Sequence, residues 1–159
     1  MRKASKICAT IEARMTSSRL PGKVLRPILG KPVLELMVER LKRVSSLDGI
    51  ILATTTNADD DPLVELADRL GIDCHRGSED DVLQRVLGAA QTHGANVIVE
   101  TLGDCPLVDP ALIEECIQEC KKGDVDHVCI IIYDVTQLAV DELALAEMSR
   151  TDGLTKLLN

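Results

Sequence analysis

Aromatic side chains are nearly missing from this sequence: it has no Trp, no Phe and a single Tyr, Tyr133. Proteins that grip single-stranded nucleic acid stack bases on aromatic faces, so that mode of binding is excluded. The core has to be aliphatic, and there is enough material for one. Of the 159 residues 45% are hydrophobic, sufficient for a single domain that buries about 70% of its unfolded surface. No apolar run reaches the roughly 18 residues a membrane helix needs. The opening M-R-K-A-S-K (1–6) has no apolar segment of the signal-peptide kind, so a cytoplasmic location is expected. No C-x-x-C pair occurs among the six cysteines (8, 74, 105, 116, 120, 129). Cys116 and Cys120 would share a helix face, but no His or third Cys stands at ligand spacing, and reduced, mostly buried thiols are expected. Two phosphate motifs are absent as well. Gly22-Lys23 is followed by Val24 and position 17 is Ser, which breaks the Walker pattern, and no G-x-G-x-x-G is present.

Excess positive charge is also lacking overall, the net being −8, but the charges are unevenly spread. Residues 1–43 hold 11 of the 18 Lys and Arg and only Glu12, Glu35 and Glu39 as acids, a net of +8. The remaining 116 residues carry seven basic and 23 acidic side chains, a net of −16. An acidic chain is a poor nonspecific nucleic-acid binder, whereas a local basic cluster suits a small anionic ligand.

That cluster centres on E-A-R-M-T-S-S-R-L-P-G-K (12–23). It comes after an apolar run, Ile7 to Ile11, that reads as a buried strand, and it precedes a helical pattern beginning near Pro32. Arg14, Arg19 and Lys23, the hydroxyls of Thr16, Ser17 and Ser18, and the Pro21-Gly22 breaker all fall within one connection. A loop leaving a strand with fixed cations, hydroxyls and free backbone N–H groups suits a polyphosphate. A solvated basic loop would show the same composition.

Downstream, strand and helix signals alternate. A helix with Val33/Leu34, Met37/Val38, Leu41 and Val44 on one face leads to a strand at Ile50–Thr55. Asp61-Pro62 reads as the cap and first residue of a helix that Gly71 ends, and a short strand spans 72–75. Ser78 reads as the next cap, with Asp81 three residues on, and Val82/Leu83, Val86/Leu87 and Ala90 as the buried stripe up to Gly94. A strand at 96–101, a tight connection at 102–110, a helix opened by Asp109-Pro110, and a last apolar strand at 127–133 complete the series. This predicts one α/β domain with a mostly parallel sheet covered on both faces, residues 1–135 forming the nucleotide-binding domain. Residues 136–159 read as a helical tail and not an independent domain, with 138–148 an amphipathic pattern.

Parallel sheets bind ligands at the carboxyl ends of their strands, where the loops 13–23 and 102–109 are expected to meet. Asp104 sits there between Gly103 and Cys105-Pro106. One carboxylate facing a phosphate loop is a donor set that Mg²⁺ accepts, and a turn residue is the alternative reading.

Four segments together resemble the sugar cytidylyltransferases: A-R-M-T-S-S-R-L-P-G-K-V-L (13–25), G-K-P-V-L-E (30–35), R-G-S-E-D-D-V-L-Q-R (76–85) and G-D-C-P-L-V-D-P (103–110). The likeness is greatest to the spore coat polysaccharide biosynthesis protein F type, with CMP-KDO and CMP-sialic acid synthetases more distant, and it runs from about Lys6 to Val128. It implies a Rossmann-like three-layer α/β/α nucleotide-diphospho-sugar transferase fold. It also implies transfer of CMP from CTP to a sugar acceptor, dependence on Mg²⁺, and a homodimer. By the same resemblance Arg14, Ser18, Arg19 and Lys23 hold the triphosphate, and the backbone near Ala13 and Met15 approaches the nucleotide. Arg76, Ser78 and Asp80 are candidates for reading the base, and Asp104 is the first metal carboxylate.

The sequence departs from that pattern in places. Thr16 stands where Gly is common, and Glu12 where Gln or Pro is usual. The resemblance fades after Val128, short of the region that supplies a second metal carboxylate and the acceptor and dimer contacts. Asp134, Asp141 and Asp152, beyond that point, are conceivable substitutes for that carboxylate, and the amphipathic helix read at 138–148 argues against Asp141. Two functions are therefore carried forward, a nucleotidyltransferase and a nucleotide-binding module without turnover.

Overall fold

A computed structural model describes residues 6–122 and 129–131. Its centre is a parallel sheet of five strands: β1 (Ile7–Glu12), β4 (Gly49–Thr55), β5 (Asp73–Gly77), β6 (Val97–Leu102) and β7 (Cys129–Ile131). They lie in the order β5-β4-β1-β6-β7. The first strand in sequence is thus the middle strand in space, with β4 on one side and β6 on the other. A separate antiparallel hairpin, β2 (Pro27–Ile28) with β3 (Lys31–Pro32), leads into α1 (Val33–Leu41). The other helices are α2 (Asp61–Leu70), α3 (Val82–His93) and α4 (Pro110–Lys122).

The alternation of side chains along each strand divides the core in two. Ile7, Ala9 and Ile11 of β1 with Ile50 and Leu52 of β4 face Leu34, Met37 and Val38 of α1, Leu63 and Leu66 of α2, and Ile113 and Ile117 of α4. Cys8, Ile51 and Ala53 point the other way, onto Val86 and Ala89 of α3. This is the three-layer α/β/α arrangement expected. Gly71, in the left-handed region, ends α2 as anticipated. Of these thiols Cys8 alone is buried, against the expectation of mostly buried thiols; Cys74, Cys105, Cys116 and Cys120 are half-buried, and none of the five is in a disulfide. Among the described residues no helix is long and apolar enough to cross a membrane. The tail at 136–159 and Asp134, Asp141 and Asp152 lie outside the described residues.

Three local readings need correction. The cap of α2 is Asp60, not Asp61, which is the first helical residue. The cap of α3 is Asp81, whose carboxylate accepts from the Gln84 N–H at 2.8 Å, while Ser78 Oγ accepts from the Asp81 N–H one step earlier. The buried stripe of α3 is Arg85, Val86, Ala89 and Ala90, whereas Leu83 and Leu87 are 66% and 47% exposed. The helix is turned so that a polar-looking residue, Arg85, points inward, and apolar periodicity alone misplaces such a face.

Away from the carboxyl ends, Glu114 of α4 ties that helix to the turn after α1. It accepts from the Ser46 N–H at 3.0 Å, from both Ser45 and Ser46 hydroxyls, and from Gln118. The Ser46 hydroxyl, then Gln118 and the Ser46 amide, hold its carboxyl at about 2 instead of the ordinary 4.5. A depressed carboxylate adds stability that is complete above its unfolded value and disappears as pH falls through its folded value. The advantage of the native chain over Glu114→Gln in melting temperature is therefore expected to be constant near neutrality and to shrink from pH 4.5 towards pH 2. A gap that stays constant down to pH 2 would show that these bonds do not depend on the charge.

Candidate functional site

At the carboxyl end of β1 the chain continues the ladder for one residue, the Ala13 N–H donating to Ala53 O at 3.3 Å, and then turns out. Met15 organises the loop that leaves the strand here. Its carbonyl accepts from the Ser17 and Gly22 N–H groups at 3.0 and 2.9 Å, closing residues 15–22 into a compact loop. Gly22, at φ +67°, makes the sharp return and hands over to a single 3-10 turn, Lys23–Leu25. The loop after β6 is joined to it directly, because the Gly103 N–H donates to Glu12 O at 2.8 Å.

The two loops enclose a cleft of about 280 Å³ lined by Glu12 to Arg14, Ser17 to Arg19, Lys23, Val24 and Leu102 to Asp104. A second hollow, about 370 Å³, lies at the opposite end of the sheet. Its charged side chains serve the fold: Lys42 donates to Leu70 O, and Asp48 accepts from the Ile7 N–H. The cleft at the carboxyl ends is the one with chemistry.

Two of the three cations there are already paired. Lys23 Nζ contacts Asp104 Oδ2, and Arg14 Nη1 lies 3.3 Å from Glu79 Oε1. Arg19 is exposed on the rim with no partner among the described residues. Glu79 also accepts from the Thr16 hydroxyl at 2.9 Å and from Asn57 Nδ2 at 2.5 Å. Those two bonds, the Asn57 one first, hold its carboxyl below the usual range. Glu79 thus ties the phosphate-type loop to the segment before α3.

That segment is fixed from beneath by Arg85, which is 0% exposed. Its Nη1 donates to the Ser78 and Glu79 carbonyls, and its Nη2 lies 3.4 Å from Glu12 Oε1. Burial pushes the Glu12 carboxyl up, and Arg85 partly opposes this. Arg76 closes the far side. Its Nε, Nη1 and Nη2 donate to Thr55 O (2.8 Å), Asp61 Oδ1 (2.7 Å) and Asn57 O (2.6 Å).

A cleft at the carboxyl end of a central parallel strand, with cations on one wall and a carboxylate on the other, has the position and charge of a nucleotide-phosphate site. The sequence model of the cytidylyltransferase family matches residues 8–158. The chain belongs to the cytidylyltransferase family. It is 38% identical over 112 residues to the spore coat polysaccharide biosynthesis protein SpsF of Bacillus subtilis, covering 68% of this chain and 47% of that one. It is 42% identical over 123 residues to an uncharacterized protein of Methanocaldococcus jannaschii, covering 77% and 51%. Among solved structures it resembles a cytidylyltransferase from Leptospira borgpetersenii, with a TM-score of 0.73 and 36% identity over 76% of this chain and 50% of that one. The chain thus spans about half the length of these relatives, 51% and 47% of the two sequences named.

Within this family member the residues expected to act together are largely brought together. Ala13, Arg14, Ser17, Ser18, Arg19, Lys23 and Asp104 all line the one cleft. Thr16 faces Glu79, and the Met15 N–H is taken by Asp60 Oδ1 at 2.6 Å. Arg76, Ser78 and Asp80 lie on the neighbouring segment; Asp80 is exposed and Ser78 half-buried. Among the described residues no group of three or more His, Cys, Asp or Glu gathers to hold a metal unaided. Asp104 is a hard, half-exposed carboxylate facing the cationic loop, which fits a Mg²⁺ that takes its other ligands from phosphate and water.

Sequence reading missed Asp60, Glu79 and Arg85. Asp60 and Glu79 are charged residues in runs of polar neighbours, where a surface or capping role is the ordinary inference, and Arg85 lies between Gln84 and Val86 on a helix whose apolar pattern marks another face. Only Asp60 carried a signal, as the middle of Asp59-Asp60-Asp61.

Proposed function

We propose that this cleft binds CTP with Mg²⁺ and that the protein transfers CMP from CTP to a sugar hydroxyl, releasing pyrophosphate. The observation that carries the reading is the pairing of Lys23 with Asp104 across the mouth, a cation and a carboxylate that a Mg²⁺–triphosphate would engage separately. Family membership and the likeness to a CMP:2-keto-3-deoxy-manno-octonic acid synthetase complexed with CTP (TM-score 0.65, 27% identity over 74% of this chain and 48% of that one) support it.

In this reading the acceptor oxygen attacks the α-phosphorus and the bond to the bridging oxygen breaks. Charge grows on the leaving pyrophosphate. Arg14, Arg19 and Lys23 meet that charge, while Ser17 and Ser18 and the loop amides orient the phosphates. Asp104 would hold Mg²⁺, which neutralises phosphate charge when bound. The segment 76–81 would face the base, Ser78 and Asp80 from its surface and Arg76 by holding the turn at 55–61. A homodimer belongs to the same proposal. The second reading is a nucleotide-binding module without turnover, which the same cleft of cations and one carboxylate would also serve.

The test is a titration of CTP, UTP, ATP and GTP with and without Mg²⁺, then a measurement of pyrophosphate release with a panel of acidic and neutral sugars. Mg²⁺-dependent preference for CTP, lost in Asp104→Asn, is expected. Sugar-dependent release supports the transferase, and binding without release supports the module. CTP binding indifferent to Mg²⁺ and to Asp104 would remove both.

The cations are not expected to count equally. Among the described residues Arg19 has no pair to give up, so Arg19→Ala should weaken CTP binding by about 1.5–3 kcal/mol, the scale of a charged hydrogen bond. Arg14→Ala should weaken it less, because Arg14 must leave Glu79 to reach a phosphate. Arg19→Lys should rescue only in part, since the planar fork is lost. Equal affinities in all three variants and the native chain would sink the assignment.

A further inference from the structure

The one carboxylate of the described core that touches the phosphate-type loop is Asp60, and it is 0% exposed. A carboxylate so buried is retained only where donors surround it. Asp60 has four. Its Oδ1 accepts from the Met15 N–H at 2.6 Å. Its Oδ2 accepts from the Thr54 hydroxyl (3.1 Å), the Thr55 N–H (3.1 Å) and the Thr55 hydroxyl (2.5 Å). Burial pushes its carboxyl up, but the bonds from Thr55, Met15 and Thr54 outweigh that and leave it below the usual range.

The division of donors matters. Three bonds fasten the carboxylate to the end of β4, so its position is set by the sheet. The fourth reaches across to the loop and takes the amide of the residue whose carbonyl closes residues 15–22. The loop therefore has one internal hub, and that hub is fastened to the core through one oxygen. Glu79 holds the same loop from its outer side, through Arg14 and Thr16, and is itself held by Asn57 of the turn that carries Asp60.

We propose that Asp60 is the positioning residue of this site: anchored on Thr54 and Thr55, it fixes Met15 and with it the orientation of the loop that presents Arg14, Ser17, Ser18, Arg19 and Lys23 to the triphosphate. The inference rests on the reading of residues 13–23 as the phosphate loop. Asp60 touches no substrate; it acts through the loop.

Asp60→Asn separates the two halves of this arrangement. An amide has one accepting oxygen. Directed at the three donors of Thr54 and Thr55, it leaves its NH₂ against the Met15 N–H, so the anchor survives and the loop is released. Thr54→Val is the control, since it removes one anchor bond and leaves the bond to the loop. Both variants are to be measured well below their melting temperatures, by amide exchange across 13–23 and by titration with Mg²⁺–CTP and with inorganic triphosphate.

In Asp60→Asn, exchange in this loop is expected to rise about tenfold or more, the mark of a local opening, and affinity for both ligands to fall. Thr54→Val should lower the melting temperature while leaving both readouts near the native values. The native protein supplies a measurement that does not depend on either variant folding: the Met15 amide should exchange far more slowly than the Arg19 amide of the same loop. Native-like loop exchange in Asp60→Asn, an equal effect in Thr54→Val, or a Met15 amide as labile as Arg19 would each overturn the proposal. A loop loosened in Asp60→Asn in a protein that binds neither ligand would refute the nucleotide reading and leave the positioning role standing.

Discussion

Arg85→Met is expected to lower stability by about 3 kcal/mol, measured by urea denaturation at neutral pH. That lies at the lower end for breaking a buried charge pair, because Glu12 keeps some contact with water. The guanidinium is closed from solvent, and its loss leaves the Ser78 and Glu79 carbonyls and the Glu12 carboxylate without their donor. Methionine fills much of the volume, so the effect is one of unmet polarity rather than of a cavity.

The pH dependence gives the prediction its sign. The Glu12 carboxyl is raised by burial and partly restrained by Arg85. Without Arg85 it should rise further. A carboxylate whose folded value exceeds its unfolded value destabilises the charged protein, and the penalty vanishes once the pH falls below the unfolded value, about 4.3. The deficit of Arg85→Met should therefore be smaller at pH 4 than at pH 7. An equal or larger deficit at pH 4 would show that Glu12 is not the group left exposed to the loss.

Gly103→Ala is expected to harm the site more than its single methyl suggests. A Cβ there would lie 2.8 Å from Ala13 Cβ and 2.8 Å from Glu12 O, and neither neighbour is the flexible end of a side chain. The loops after β1 and β6 would have to part. Overpacking of this kind costs about 1–3 kcal/mol, read as a fall in the urea midpoint. The larger consequence is geometric, since Asp104 is the next residue and Lys23 stands on the opposite loop. If the cleft binds Mg²⁺–CTP as proposed, that binding should fall sharply even where the protein is folded. Adding Ala13→Gly removes one of the two collisions and leaves that with Glu12 O, so the double variant should recover part of the loss, non-additively. Strict additivity would argue that the two loops do not meet as described.

The wall-forming loops could be read in advance because their signals are local. Cations, hydroxyls and a Pro-Gly breaker fall within residues 14–23, and Asp104 stands on a Gly/Pro-bounded turn. The strands were equally plain, since β1 and β4 are continuous aliphatic runs. The supports were not legible, because their meaning lies in contacts distant along the chain. Asp59, Asp60 and Asp61 are one residue type three times, yet Asp60 is buried beneath Met15 while Asp61 faces outward to Arg76. Arg85 sits in a helix whose leucines advertise a face that turns out to be exposed. Burying an arginine reverses the usual rule of which residues go inside, and only the tertiary partners Glu12, Ser78 and Glu79 justify it.

The placement of β1 in the middle of the sheet has a consequence for how the protein is made. Its first neighbour begins at Gly49 and its second at Val97, so β1, made before both of its neighbours, keeps one edge open until β6 has been synthesised. Contacts so far apart in sequence close slowly, because a long stretch of chain must be ordered before they form. The cleft has only one of its walls until Asp104 has been synthesised. During that interval the aliphatic edge of β1 is open to other chains, which makes nascent and N-terminal fragments of this protein the species most exposed to aggregation.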